Sequence, residues 1–334
     1  MTKRTKAKGV EKMTNRKPAV MGLAIIFMLA LFLGNAWAAN PVRIGFLQAD
    51  IHQLSCWVAL EKGFYKEQGL DVKVAGIFKA GPEEMSAFAA GELDMGYVGE
   101  APATTAVANG AARVQVLAQV NTEGSAIMVG KDAKIAKVSE LANKSVAVPG
   151  HSTVQDFLVR KSLEQNKVPA DKVKIIVVKP PEMIGALRTN QIDAFIAWEP
   201  YPAKAQTMGV GKVLVTSAHI WPGHPCCVLV VDDKFLKARP ADAMKMVAAH
   251  VKATNFINQH PKEALKIGVK YTGMDPDTVR LAMHNVNYTY KISVEGEREY
   301  VSLLARQGFI KIKDVDAFVA HFLNGKILEA VLGK

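Results

Sequence analysis

Along the chain, short apolar runs alternate with longer stretches whose apolar residues recur every three or four positions. The runs read as buried strands and the stretches as helices with one covered face. From residue 42 the order is a strand Val42–Phe46, an amphipathic stretch His52–Gln68, a strand Leu70–Val74, a helix from Pro82 and a strand Leu93–Val98. The same order returns with Ser145–Val148, Val154–Gln165, Val173–Val178, a helix from Pro181 and Ile192–Ala197.

The likeness extends to single residues. PEEMSAFAAGELDMGYVGE, residues 82 to 100, is answered by PEMIGALRTNQIDAFIAWE, residues 181 to 199. Pro82 aligns with Pro181, Asp94 with Asp193 and Glu100 with Glu199. Proline followed by glutamate suits a first helical turn, and Gly91 or Asn190 can end the helix. Two copies are too few for a solenoid, so the chain carries a duplicated supersecondary unit.

Strand, helix, strand, helix, strand in each half predicts an α/β fold with parallel sheets covered by helices. Such sheets bind ligands at the carboxyl ends of their strands. Four loops qualify: Gln48–His52 and Gly99–Pro102 in the first half, Pro149–Thr153 and Trp198–Tyr201 in the second. If the sheets face each other, these loops line one cleft.

The amino terminus alters the picture of charge. Seven basic residues and one acidic residue lie within residues 1–38, all of them before an apolar run from Ala19 to Leu33 that an Ala36-Trp37-Ala38 cleavage pattern follows. Residues 1–38 therefore read as a secretory signal peptide. Its removal lowers the formal charge from +11 to +5, which takes away the case for nucleic-acid binding. Three cysteines imply no disulfide framework. Adjacent Cys226 and Cys227 read as apolar strand residues, with a strained vicinal disulfide as the alternative.

From about residue 41 onward the chain resembles the solute-binding proteins of the nitrate, taurine and aliphatic-sulfonate ABC importers. The resemblance rests on Ala59-Leu60-Glu61-Lys62-Gly63-Phe64-Tyr65 with Gly69-Leu70-Asp71-Val72, on Gly91-Glu92-Leu93-Asp94-Met95-Gly96 with Gly99 and Pro102, and on Trp198-Glu199-Pro200-Tyr201. It implies a two-lobed periplasmic binding protein of type II, with lobe I at residues 39–124 and 228–334 and lobe II at 125–227. It also implies a periplasmic monomer that captures a small organic solute, a sulfonate, taurine or related compound, for an inner-membrane permease. No cofactor, metal or chemistry is expected.

The candidate ligand-binding residues follow from the loops. Gln48 and His52 come from the first, Gly99, Glu100 and Pro102 from the second, and Glu123 from a crossover between halves. His151, Ser152 and Thr153 open a helix whose free N–H groups suit an anion, although plain capping explains the same residues. Trp198, Glu199 and Tyr201 complete the set, while Asp94 and Asp193 read as structural. A competing reading is an exported enzyme of the same fold, desulfinase-like or pyrimidine-synthase-like. In it Cys56, four residues after His52 on one helix face, is a nucleophile. Motifs for a nucleophile elbow, a zinc protease or a dinucleotide loop are incomplete or absent.

Intact-mass measurement of exported protein is expected to show a chain beginning at Ala39. A mature chain retaining Met21 to Leu33 would instead favour a membrane anchor.

Overall fold

The structure is a computed structural model that describes residues 1, 2, 5, 9 and 40–334. The inferred signal peptide otherwise lies outside the described residues, and the fold belongs to the unit Pro41–Lys334. Among the described residues no helix is long and apolar enough to cross a membrane.

Two sheets organise this unit. The first contains β1 (Val42–Leu47), β2 (Val72–Phe78), β3 (Met95–Gly99), β4 (Val114–Glu123), β10 (Pro225–Asp232) and β11 (Val286–Tyr288), in the order β11-β4-β10-β3-β1-β2. The second contains β5 (Ser125–Gly130), β6 (Ser145–Val148), β7 (Lys174–Val177), β8 (Ala194–Trp198) and β9 (Gly211–Thr216), in the order β7-β6-β8-β5-β9.

The duplication is visible in the pairing. β1 lies parallel between β2 and β3, and β6 lies parallel between β7 and β8. An antiparallel strand then flanks each third strand, β10 beside β3 and β5 beside β8. β4 runs into β5 and β10 follows β9, so the chain crosses between sheets twice.

Local sequence explains the elements. β1 and β3 are central and covered on both faces, so they are almost wholly buried and apolar. β2 is an edge strand and largely exposed, which its lysine tolerates. Helices α1 (Leu54–Glu61), α2 (Gly81–Ala89) and α3 (Glu100–Ala108) cover the first sheet; α4 (Val154–Gln165), α5 (Pro180–Arg188) and α6 (Tyr201–Thr207) accompany the second. α2 and α5 both begin with proline and glutamate in the first turn, and both are followed by a left-handed residue, Gly91 or Asn190.

The repeated aspartates share one structural task. Asp94 accepts the Arg43 N–H at 2.8 Å, and Asp193 accepts the Ser145 N–H at 2.9 Å. Each carboxylate thereby ties the start of a third strand to the start of its central neighbour. The long helix Pro240–Gln259 packs Ala243, Met246 and Val247 into the first core, where Trp57 also stacks on Tyr271 with ring centres 5.0 Å apart.

The crossover from β4 to β5 passes through Gly124 at φ +83°. A Cβ there would stand 2.3 Å from His52 Nε2 and 2.7 Å from Val286 Cγ2. Gly124→Ala is expected to cost about 2 kcal/mol or more, from backbone strain and contact together. Urea denaturation checks this, and a loss below ~0.5 kcal/mol would mean that the crossover yields easily.

Candidate functional site

The strand ends converge as the duplication predicts. From the first sheet come Leu47 at the end of β1, Asp50 and His52 just beyond it, Gly81 after β2, Gly99 at the end of β3 and Pro102 after it. From the second come Thr153, Val154 and Gln155 at the start of α4, and Trp198 at the end of β8. Cys226 and Cys227 of β10 close the floor. The cavity they enclose is about 10 Å³, roughly the space of one water molecule, so as it stands the cleft is closed to all but a very small occupant.

The loops also hold one another. Ile51 donates its N–H to the Glu199 carbonyl at 3.2 Å, and Glu199 donates to the Gly124 carbonyl at 2.8 Å. Farther out, Lys179 meets Glu83 at 2.6 Å and Lys204 meets Asp275 at 2.8 Å. These ion pairs are partly exposed and each contributes modestly.

Of the candidates read from sequence, His52, Gly99, Pro102, Thr153 and Trp198 line this cleft. The others are placed differently. Gln48 is exposed, and the His151 ring is 58% exposed. Glu123 faces the crossover, accepting from the Gly223 N–H at 2.8 Å and from Asn287 at 3.0 Å. Tyr201 is buried and meets Trp198 edge to face.

Glu100 and Glu199 are both buried and both employed within the protein. Glu100 accepts from Gln119 at 3.1 Å and lies against Glu297, which takes a hydrogen bond from Thr104 at 2.8 Å. Burial raises both carboxyls of this pair above their ordinary values. Glu199 accepts from Asn285 at 2.7 Å and from the Ala203 N–H at 3.0 Å, so it caps α6.

The α4 terminus has its anion already. Thr153 caps the helix, accepting from the Asp156 N–H at 3.2 Å while donating to the Gly150 carbonyl at 2.8 Å. The buried Asp156 carboxylate accepts from the Ser152 N–H at 3.0 Å and from Arg160 at 2.9 Å. An internal carboxylate thus complements the positive helix end.

His52 is fully buried in the cleft wall and held at both ring nitrogens. It sits in a 3₁₀ turn, Ile51–Gln53, capped by Asp50, while Cys56 belongs to the following helix. Cys56 is buried in the core, and burial pushes its thiol up, which suits packing and not nucleophilic attack. His52 Nε2 lies 2.8 Å from the Gly124 carbonyl, so that nitrogen carries a proton and donates it. Nδ1 faces the thiols instead, 3.4 Å from Cys226 Sγ and 3.8 Å from Cys227 Sγ.

Both cysteines are free thiols. Consecutive strand residues normally point to opposite faces. Between Pro225 and Cys227, however, β10 advances two residues while β4 advances one, from Thr122 to Asn121. This bulge makes Cys226 the extra residue and turns both thiols toward His52. Burial opposes ionisation of Cys226, yet a hydrogen bond from Cys227 and the His52 charge hold its thiol well below the ordinary value. Burial likewise opposes the His52 charge, and the charges of Cys226 and Asp50 raise its pKa to about 9. Sequence reasoning placed Asp50 in a cleft loop without naming it as a binding residue, and missed Gln155 and the cleft position of the cysteine pair; the adjacency of the two cysteines was the available signal.

Two sheets of like topology, joined by two crossovers around one cleft, are the architecture of the two-lobed periplasmic binding proteins. The NMT1-like family model matches residues 36–270, and the chain belongs to this family. A Bacillus subtilis protein provisionally named for binding aliphatic sulfonates is 27% identical over 280 residues, covering 81% of this chain and 82% of its own. The periplasmic nitrate-binding protein NrtA of Synechocystis shares the fold with a TM-score of 0.77 at 19% identity, over 88% of each chain. The alkanesulfonate-binding protein SsuA of Xanthomonas axonopodis pv. citri, bound to MOPS, does so with a TM-score of 0.75 at 17% identity, over 85% of this chain and 98% of its own.

Burial pushes Glu199 up to about 7 from an ordinary 4.5, against its two hydrogen bonds. A carboxyl with a raised folded pKa contributes stability that is complete below about pH 4.5 and lost as pH rises through about 7. Glu199→Gln is expected to remove that slope, so the variant gains on the wild type between pH 5 and pH 7.5. Denaturation at stepped pH measures the difference, and parallel curves would show that Glu199 is charged throughout.

Proposed function

We propose that the protein is an extracytoplasmic solute-binding receptor of an ABC importer. It is exported to the periplasm, closes its two lobes on one small solute and hands it, as a monomer, to an inner-membrane permease. The observation that carries this reading is the convergence of equivalent loops from both sheets on one buried cleft. A solute touching both lobes favours the closed state by its differential affinity. The lobes are residues 39–124 with 228–334 and residues 125–227, a division that the sheet membership of β4 and β5 supports at the first boundary; at the second, β10 already joins the first sheet at Pro225, so Pro225–Cys227 go with lobe I.

Homology to sulfonate- and nitrate-binding proteins supports the receptor role more strongly than it supports their solutes. The cleft lining contains neither lysine nor arginine, and Asp156 occupies the helix end that would hold an anion. Charge therefore favours a small neutral or cationic solute over a free anion such as nitrate or an alkanesulfonate. The enzyme reading loses its geometry, because Cys56 lies in the core while His52 turns toward Cys226.

Native mass spectrometry of the exported protein is expected to show one small ligand per chain, released on unfolding. Small-angle scattering should show the stripped protein expanding and then contracting when that ligand returns. A chemically altered ligand after incubation would replace the receptor reading with an enzyme.

A further inference from the structure

We propose that His52, Cys226 and Cys227 form a three-ligand site for a thiophilic cation of the zinc class, with its remaining coordination position open to the cleft. Nδ1 and the two sulfurs all lie within 4.8 Å of one another, and all three residues are buried. Zinc–nitrogen and zinc–sulfur bonds of ordinary length, at a tetrahedral angle, separate the two donor atoms by about 3.6 Å. The observed separations, 3.4 and 3.8 Å, bracket that value.

The surroundings match what a metal-binding histidine requires. Nε2–H is held by the Gly124 carbonyl, which leaves the Nδ1 lone pair aimed at the sulfurs, the arrangement by which outer partners orient ligating imidazoles. Gln53 reaches Cys227 Sγ at 3.7 Å and Asp50 at 3.0 Å, fixing the thiol from behind. Asp50 Oδ1, 3.6 Å from Nδ1, adds a negative charge beside the ion. The lining offers no competing lysine or arginine. Two thiolates neutralise a divalent ion, and binding displaces the thiol protons and any proton on Nδ1.

Soft sulfur ligands exclude magnesium and calcium, which take oxygen, and select zinc or copper(I). Three protein ligands with an open position differ from the closed four-ligand shell of a structural zinc site. An incomplete shell suits an ion that must be released, so the inference deepens the receptor reading by naming the cargo, and in that respect rests on it.

The test uses the mature protein, stripped with chelator under reductant and titrated with zinc chloride against a chromophoric competitor. One zinc per chain is expected, with binding roughly tenfold or more weaker in Cys226→Ser, Cys227→Ser and His52→Ala. Cys56→Ser, whose thiol lies elsewhere in the core, should bind as the wild type does. Cobalt(II) added to the wild type should give sulfur-to-metal charge-transfer absorption, a reading that stands even where a variant fails to fold. Absence of that band, or zinc binding undiminished in all three variants, overturns the site. If zinc does not bind while an organic solute is recovered from the cleft, the metal site falls and the receptor remains. If zinc binds through these residues but cells lacking the protein import zinc normally, the site stands and the importer role falls.

Discussion

One hydrogen bond, from His52 Nε2 to the Gly124 carbonyl at 2.8 Å, joins the two features on which the cleft depends. Gly124 is one of two left-handed residues, with Glu123, in the crossover between sheets, and His52 stands on the loop beyond β1. Both groups are buried, so a lost partner would leave a polar atom without compensation. The bond therefore fixes the crossover against the first sheet and the imidazole against the crossover. Its direction then decides that Nδ1, and not Nε2, meets the thiols.

The bulge in β10 has a matching role. Without the extra residue, adjacent cysteines would divide between the two sheet faces and only one would reach the imidazole. With it, both sulfurs and Nδ1 share one small volume. The same strand pairs with β3 and β4, so the thiols are held by the rigid centre of a six-stranded sheet. The opposite wall comes from α4 and β8 of the other sheet.

Burial separates residues that sequence treats alike. Glu100 and Glu199 occupy equivalent places in the duplication, yet one shares a buried pair with Glu297 and the other caps α6. Neither borders the cleft. Asp94 and Asp193 keep equivalent roles because both bond the neighbouring strand within their own sheet, where the duplication preserves the partner. Equivalence survives where partners are local and fails where they come from the later helices.

The sequence alone determined the elements, the two α/β halves and the loops that meet, because apolar periodicity and turn residues act over short distances. It also named His52, Gly99, Pro102, Thr153 and Trp198 as cleft residues, since each directly follows a predicted strand or opens a helix at its carboxyl end. It did not reveal that Ser152 and Thr153 serve Asp156 and the helix cap, or that the Glu199 carboxylate turns to Asn285, 86 positions away. Nor did it show which of two sulfur neighbours His52 would choose. Cys56 is four residues away along the chain, while Cys226 is 174 residues away, and only the pairing of β10 within the first sheet brings the distant thiol to the imidazole. Strand pairing and side-chain burial depend on partners remote in sequence, so those choices belonged to the tertiary structure.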